Sequence, residues 1–394
     1  MLRLAFHTPL KPLDHPTPSG DRAMGRALVA LLRRLGHAVQ PLDAYCAGSG
    51  LPPMAPQSLP VLQAAAQQRA AALIAQWSAL AAHDPMRPTA WFTYHAWYKR
   101  PDWLGPAVAA ALGIPYVIAE ASYAPKRAGG PWDLGHRATE AAVRAADLIL
   151  TLNPDDGPCL LPLLAALEIM TIVPPFLDTA PFCSDAAARA SAGAALRQRF
   201  GWPASAPVLI TVAMMRPPDK LASYRVLADA MAAVVDRDWR LLLVGDGPAR
   251  AEVERLFAPL GDRVAFAGSQ AGEALPALYA GADLYAWPAV NEAYGISLLE
   301  AQAAGLPVVA GRTRGVPAVV ADGETGLLTP LGDAAAFAAC LRVLLDDPAR
   351  HAAMGRAAVA RIARDHDLDA AARVIGGALD AMQARRAAAC ETAP

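Results

Sequence analysis

The stretch Trp287-Pro288-Ala289-Val290-Asn291-Glu292-Ala293-Tyr294-Gly295-Ile296-Ser297-Leu298-Leu299-Glu300 continues as Ala301-Gln302-Ala303-Ala304-Gly305-Leu306-Pro307-Val308-Val309. Its order of residue types predicts strand, turn, helix and strand. Leu284 to Trp287 is a short apolar run, and Ser297 stands where it could N-cap the following helix. Gly305 can close that helix in the left-handed conformation, and Pro307 forbids its continuation. The free N–H groups at a helix start attract phosphate, and Gly295 would let an anion come close. Glu292 falls just before that anion site and Glu300 within the helix, so a sugar and a ribose could be held on either side of a diphosphate. Ser297-Leu298-Leu299-Glu300 also fits a capping box, in which Glu300 would only satisfy a backbone donor. On this stretch alone both readings stay open.

Upstream, the pattern begins with a strand at Val208 to Ala213 and a helix at Leu221 to Val235. The strand Leu241 to Val244 then runs into the glycine turn Gly245-Asp246-Gly247-Pro248. Further short strands are expected at Val264 to Gly268, Val308 to Gly311 and Gly326 to Thr329, with helices near Ala274 to Tyr279, Ser297 to Ala304 and Val316 to Asp322. Long helices near Asp333 to Leu345, Pro348 to Asp365 and Leu368 to Arg386 close the chain, leaving Ala387 to Pro394 as a frayed tail.

The first half reads in the same way. Leu2 to Phe6 is a strand, a loop containing Pro9, Pro12, Pro16 and Pro18 follows, and Ser19-Gly20 opens a helix with Met24, Leu28, Leu31, Leu32 and Leu35 at helical spacing. After the Gly- and Pro-rich residues 47–60, helices are expected at Val61 to Ala82, Leu104 to Leu112, Gly135 to Ala146 and Pro158 to Leu167. Strands are expected at Thr89 to His95, Pro115 to Glu120, Leu148 to Leu152 and Met170 to Val173, and the loop Ala121 to Arg127 is polar and basic. Such alternation predicts α/β architecture with parallel, doubly wound sheets. The expected organisation is a first domain over 1–185, a linker over 186–206 that carries one helix, Asp185 to Phe200, a second domain over 207–367, and a C-terminal helix and tail over 368–394 that packs back on the first domain.

Composition narrows the field of functions. At 394 residues, two cores are expected. The formal charge of −1 gives no field for nucleic acid. No apolar run is long enough to span a bilayer, and the first residues reach His7 and Pro9 too soon for a signal peptide, so a cytoplasmic location is expected. The five cysteines, Cys46, Cys159, Cys183, Cys340 and Cys390, lack metal-ligand spacing and are expected as free, buried thiols. No metal site is read from the sequence.

Taken in order, the landmarks of the second half resemble the nucleotide-binding domain of family-four retaining glycosyltransferases of the GT-B fold. They are Val244-Gly245-Asp246-Gly247-Pro248, Val264 to Gly268, Leu278 to Leu284, the Glu292 to Glu300 spacing, and Glu300 to Ala310. The resemblance implies two Rossmann-like domains facing across a cleft. It also implies a nucleotide-sugar-dependent hexosyltransferase acting in bacterial glycan or cell-envelope synthesis, with a UDP-, GDP- or ADP-sugar as substrate and no cofactor. On that reading Glu300 takes the ribose hydroxyls and Glu292 faces the donor sugar. Ala293, Tyr294, Gly295, Ile296 and Ser297 hold the distal phosphate, and Arg216 and Lys220 grip the diphosphate. Met214 stands where the arginine usually falls, so Arg216 is displaced by two positions. Gly20, Gly245 and Gly268 complete the donor set.

On the acceptor side the resemblance implies a histidine after the strand Pro115 to Ala119, yet Glu120-Ala121-Ser122 occupies that place. Glu120, a catalytic candidate, and His95 therefore both stand for the role, with Ser122, Tyr123, Lys126 and Arg127 beside them. Lys99, Arg100 and Arg137 extend a basic cluster suited to a phosphorylated or lipid-linked acceptor, with peripheral membrane contact an open expectation. Glycan and small-molecule acceptors remain open too. Two rival readings are a sugar-nucleotide-binding protein without catalysis and a dinucleotide oxidoreductase, the latter disfavoured because no G-x-G-x-x-G follows an early strand.

Overall fold

The computed structural model describes residues 1–15, 19–42, 53–153, 156–270 and 272–392. Pro16, Pro18, Cys46 and the glycine-rich residues 47–52 lie outside them, as does the side chain of Cys390. Contacts divide the chain into a first unit, Met1–Pro174 with Ala371–Pro394, and a second unit, Pro175–Ala370.

In the first unit six strands form one parallel sheet: β1 (Arg3–His7), β2 (Ala38–Pro41), β3 (Ala90–Trp97), β4 (Tyr116–Ser122), β5 (Leu148–Thr151) and β6 (Met170–Ile172). Their order is β2-β1-β3-β4-β5-β6, which reverses direction between β1 and β3. The connecting helices are α1 (Gly20–Arg34), α2 (Leu59–Ser78), α3 (Gly105–Leu112), α4 (Asp133–Ala145) and the single turn α5 (Gly157–Leu160). Ser19 caps α1 by accepting from the Arg22 N–H at 3.3 Å, and Leu28, Leu31 and Leu32 are wholly buried on one face. Each contributes roughly 2 kcal/mol on leaving water, so packing holds this helix more than propensity does. Strands β4 and β5 are nearly continuous apolar runs, as a sheet covered on both faces requires.

Asp102 fixes the link between β3 and α3. Its carboxylate, 1% exposed, accepts from the Leu104 and Gly105 N–H groups at 2.9 and 2.8 Å, from Tyr116 Oη at 2.9 Å, and from Thr93 Oγ1. A buried carboxylate with this many donors is a structural pin.

The second unit repeats the plan with β7 (Val208–Val212), β8 (Arg240–Val244), β9 (Val264–Gly268), β10 (Leu284–Trp287), β11 (Val308–Gly311) and β12 (Gly326–Thr329). The order β12-β11-β10-β7-β8-β9 is again wholly parallel, with its reversal between β10 and β7. Its helices are α6 (Ala186–Phe200), α7 (Asp219–Ala233), α8 (Arg250–Phe257), α9 (Ala274–Gly281), α10 (Ile296–Ala303), the single turn α11 (Val316–Val319), α12 (Ala334–Asp346) and α13 (Pro348–Asp365). The segments entering and leaving this unit lie together: Leu177 N donates to His366 O at 3.0 Å, and His366 Nδ1 to Pro175 O at 2.7 Å. Helix α14 (Leu368–Thr392) then carries the chain into the first unit. There Ile375, Leu379 and Met382 are buried and Arg386 pairs with Asp147 at 2.8 Å.

Several expectations are corrected. The stretch read as a linker belongs to the second unit: its expected helix, Asp185 to Phe200, is α6 and packs on α9, where Arg197 reaches Asp283 at 2.7 Å and a Cβ on Gly281 would lie 2.8 Å from Ala192 O. The division at Pro174 therefore precedes the expected 185. Strand β2 was not anticipated, because a four-residue edge strand with three exposed residues has no apolar alternation to read. Strand β4 continues through Ser122, and the presumed frayed tail is helical as far as Thr392. Cys183 is exposed and Cys159 and Cys340 are half-buried; all three are free, but none has the full burial expected.

Candidate functional site

Ligands of doubly wound sheets bind beyond the carboxyl ends of the strands, where the strand order reverses. In the second unit that place lies at the ends of β7 and β10. Lys220, in the first turn of α7, forms an ion pair with Glu292 Oε2 in the loop after β10, and both side chains are 17% exposed. Trp287 Nε1 donates to the same oxygen at 3.3 Å, and the Lys220 ammonium lies 5.7 Å from the Trp287 ring centre. Ser223 Oγ accepts from Val290 N at 2.9 Å, and Asn291 Nδ2 donates to Asp219 at 2.9 Å, so α7 anchors the two residues that lead into Glu292.

The capping-box alternative fails here. Helix α10 starts at Ile296, with Gly295 at the N-cap in the left-handed region (φ 75°), so Ser297 lies inside the helix. A Cβ on Gly295 would lie 2.9 Å from Leu298 Cδ1 and 3.1 Å from Glu292 Cγ, which explains the glycine by both strain and space. Ser297 Oγ accepts from Tyr285 Oη at 2.8 Å, while Glu300 Oε2 accepts from Tyr279 Oη at 2.9 Å. Burial pushes Glu300 up to about 7, only partly offset by the Tyr279 hydrogen bond. A half-buried carboxyl with one tyrosine donor keeps accepting capacity for a ligand's hydroxyls. The first N–H groups of α10 lack intrahelical acceptors, and Ala293 to Ser297 bring them beside Glu292.

Arg216 is exposed in the segment between β7 and α7, as is Met214 at 38%. Gly245 has a local reason for being glycine: at φ 141° its Cβ would lie 1.9 Å from Ala213 O, so the ends of β7 and β8 can touch. Gly268 ends β9 and accepts from Gly245 N at 2.8 Å, and exposed Gly20 is the first residue of α1 in the other unit. Sequence reasoning passed over Arg314, which follows β11 in a left-handed conformation (φ 40°) with Nη1 3.4 Å from Asn291 Oδ1. A signal was available in its place one strand along from Glu292.

The reversal in the first unit lies at the ends of β1 and β3, and there Asp21, His95 and Glu120 form a second titratable group. His95 Nδ1 donates to Asp21 Oδ1 at 3.0 Å. His95 and Glu120, on neighbouring strands, both have φ 62°, a conformation that L residues adopt at a cost and that clusters at ligand sites. Burial alone would lower the imidazole, but the Glu120 charge and the Asp21 hydrogen bond raise it to about 9. Burial raises the Glu120 carboxyl, and its Oε2 is buried with no hydrogen-bond partner. Asp21 also escaped the sequence reading; its position in the first turn of α1 was the available clue.

The remaining acceptor-side candidates are scattered among other tasks. Ser122 ends β4, while Tyr123 stacks on His136 at 4.8 Å and donates to Glu140 at 3.2 Å. Exposed Lys126 and Arg127 occupy a short turn, with the Arg127 guanidinium 5.1 Å from the Tyr98 ring centre. Lys99 lies 4.7 and 5.4 Å from the ring centres of Trp97 and Trp132, Arg100 is 4% exposed, and Arg137 pairs with Asp133 at 2.9 Å. The expected basic rim is therefore largely engaged with the protein itself. Among the described residues no group of three His, Cys, Asp or Glu is arranged to hold a metal, and no helix is long and apolar enough to cross a membrane.

With this geometry in hand, comparison with known proteins is informative. Residues 206–347 match the family described as Glycosyl transferases group 1. A D-inositol 3-phosphate glycosyltransferase of Acidothermus cellulolyticus is 32% identical over 329 residues, covering 78% of this chain and 71% of that protein. Its namesake in Salinispora tropica is 39% identical over 200 residues, covering 48% of this chain, which spans only 41% of that relative's length. The chain belongs to the group 1 glycosyltransferases. Among solved structures, Anabaena Alr3699/HepE in complex with UDP and glucose superposes with a TM-score of 0.70 at 18% identity, covering 96% of this chain and all of that one. That likeness shows the GT-B fold of two doubly wound parallel sheets.

Proposed function

We propose that this protein transfers a sugar from a nucleotide-sugar donor to a hydroxyl of an acceptor, with retention at the anomeric carbon. The observation that carries the reading is the Lys220–Glu292 pair set beside the N-terminus of α10, with the Glu300 carboxyl farther along the same helix. A diphosphate would displace Glu292 from Lys220 and gain both the ammonium and the helix N–H groups, while Glu300 takes the ribose hydroxyls. Glu292, released, faces the donor sugar. As the glycosidic bond breaks, charge grows on the leaving phosphate, where Lys220, Arg216 and the helix terminus stabilise it. These groups supply the electrostatic work that a divalent ion performs elsewhere, so the mechanism calls for no resident metal. Attack comes from the leaving-group face, and the departing phosphate takes the acceptor proton.

Asp21, His95 and Glu120 serve the acceptor side, where the imidazolium donates and the Glu120 carboxyl accepts hydrogen bonds. The two inositol-phosphate relatives favour a polyhydroxylated acceptor, within bacterial glycan or envelope synthesis. Thermal stabilisation by UDP-, GDP- or ADP-sugars, followed by product detection, tests the whole reading. Stabilisation by one donor class is expected, with turnover sharply reduced in Glu292→Ala and Lys220→Ala. No shift with any donor would overturn it, and binding without product would leave a sugar-nucleotide-binding protein.

A further inference from the structure

We infer that Arg314 binds the donor diphosphate directly, as a cation supplied by the loop after β11; the inference rests on the donor site proposed above. Charge balance makes the case. Asp219, held by Asn291, and Glu292 bring two carboxylates to this loop, whereas Lys220 is already paired with Glu292 and exposed Arg216 is the second cation of the proposed site. Two cations against two carboxylates leave the charge of an entering diphosphate uncompensated, so a further cation at this loop favours its binding. Strand β11 is the neighbour of β10 in the sheet, so the loop leaving its carboxyl end lies alongside the loop that carries Glu292.

The two loops are joined by Gly315 N, which donates to Ala293 O at 2.7 Å. Close contact is built in, since a Cβ on Gly315 would lie 2.3 Å from that oxygen. Immediately before it, Arg314 points its Nη1 to within 3.4 Å of Asn291 Oδ1, the residue preceding Glu292, and Asn291 in turn contacts Asp219 beside Lys220. Arg312, two residues earlier, is taken up by an ion pair with Asp322. Arg314 is exposed and forms no ion pair among the described residues, so its guanidinium remains available for an anion. A planar, permanently charged fork suits a diphosphate better than an ammonium does.

Calorimetric titration of the full chain with UDP, GDP and ADP, and with uridine, guanosine and adenosine, tests this. For the diphosphate that the wild type binds, Arg314→Ala should raise Kd by about tenfold. The matching nucleoside should bind unchanged, and Arg314→Lys should fall between. Arg314→Gly relieves the left-handed backbone, so it should show the same binding loss without a fall in Tm, which separates charge from folding. Equal diphosphate affinity in wild type and Arg314→Ala would overturn the inference and leave the donor site standing. So would an equal loss in Asn291→Ala, because Arg314 would then act only by holding Asn291. A wild type that binds none of the three diphosphates would bring down the donor site and this inference together.

Discussion

Replacing Glu300 by glutamine should make the protein more stable and worse at binding its donor. Burial holds this carboxyl at about 7 against an ordinary 4.5, which corresponds to roughly 3 kcal/mol in favour of its protonated form. Between those two values the folded state binds more protons than the unfolded state, so stability falls as pH rises through the window and levels off above 7. Glutamine does not titrate, is similar in size, and can still accept from Tyr279 Oη. The variant should therefore match the wild type near pH 4.5 and exceed it by up to ~3 kcal/mol at pH 8. For a unit the size of Pro175–Ala370, that is a rise in Tm of about 6–12 °C in its unfolding transition. Scanning calorimetry of both proteins from pH 5 to 8.5 measures it. A Tm difference that stays constant with pH would refute the argument, because a packing effect has no reason to follow the titration. Binding should move in the opposite direction. An amide offers one accepting oxygen where a carboxylate offers two, so affinity for the nucleoside diphosphate should fall by about tenfold.

Three further outcomes follow from the same contacts. Lys220→Ala should lower kcat by about a hundredfold or more, as loss of one preorganised charge at a leaving group does, and steady-state kinetics would show it. His95 has a folded pKa of about 9, above its ordinary 6.5, so its stabilising contribution is complete below pH 6.5 and is lost as pH rises through 9. The Tm advantage of wild type over His95→Asn should accordingly shrink across that range, and an advantage independent of pH would contradict the assignment. Asp102→Ala strands Thr93, Tyr116 and two backbone N–H groups in the core; urea denaturation should report a loss of roughly 3 kcal/mol.

The alternation of apolar strands with amphipathic helices made both sheets legible, because parallel strands covered on two faces read as continuous runs such as Leu241 to Val244. Strand β2 escaped for the opposite reason, being a short and exposed edge. In the stretch from Trp287 to Glu300 the glutamates were legible but the local geometry was not. Ser297 has the chemistry of an N-cap, yet Gly295 takes that place, since only glycine fits the left-handed turn between Glu292 and Leu298. The partners of the glutamates lay beyond any local reading. Tyr279 precedes Glu300 by a helix and a strand, Lys220 meets Glu292 only through the β7–β10 pairing, and Asp21 meets His95 only through that of β1 with β3. Arg314 was missed because one exposed arginine carries no motif.

The assignment of Ala371–Pro394 to the first unit has a bearing on how the chain is made. On a ribosome adding about 5–20 residues per second, the roughly 200 residues of the second unit take some 10 to 40 s to emerge. Throughout that interval Leu35, Gly113 and Asp147 wait without the helix that covers them, since Gly376 comes to lie against Leu35 and Arg386 reaches both Gly113 O and Asp147. The half synthesised first is thus the half completed last, and a chain stopped short of α14 would leave its amino-terminal sheet system, not its carboxyl-terminal one, open to aggregation.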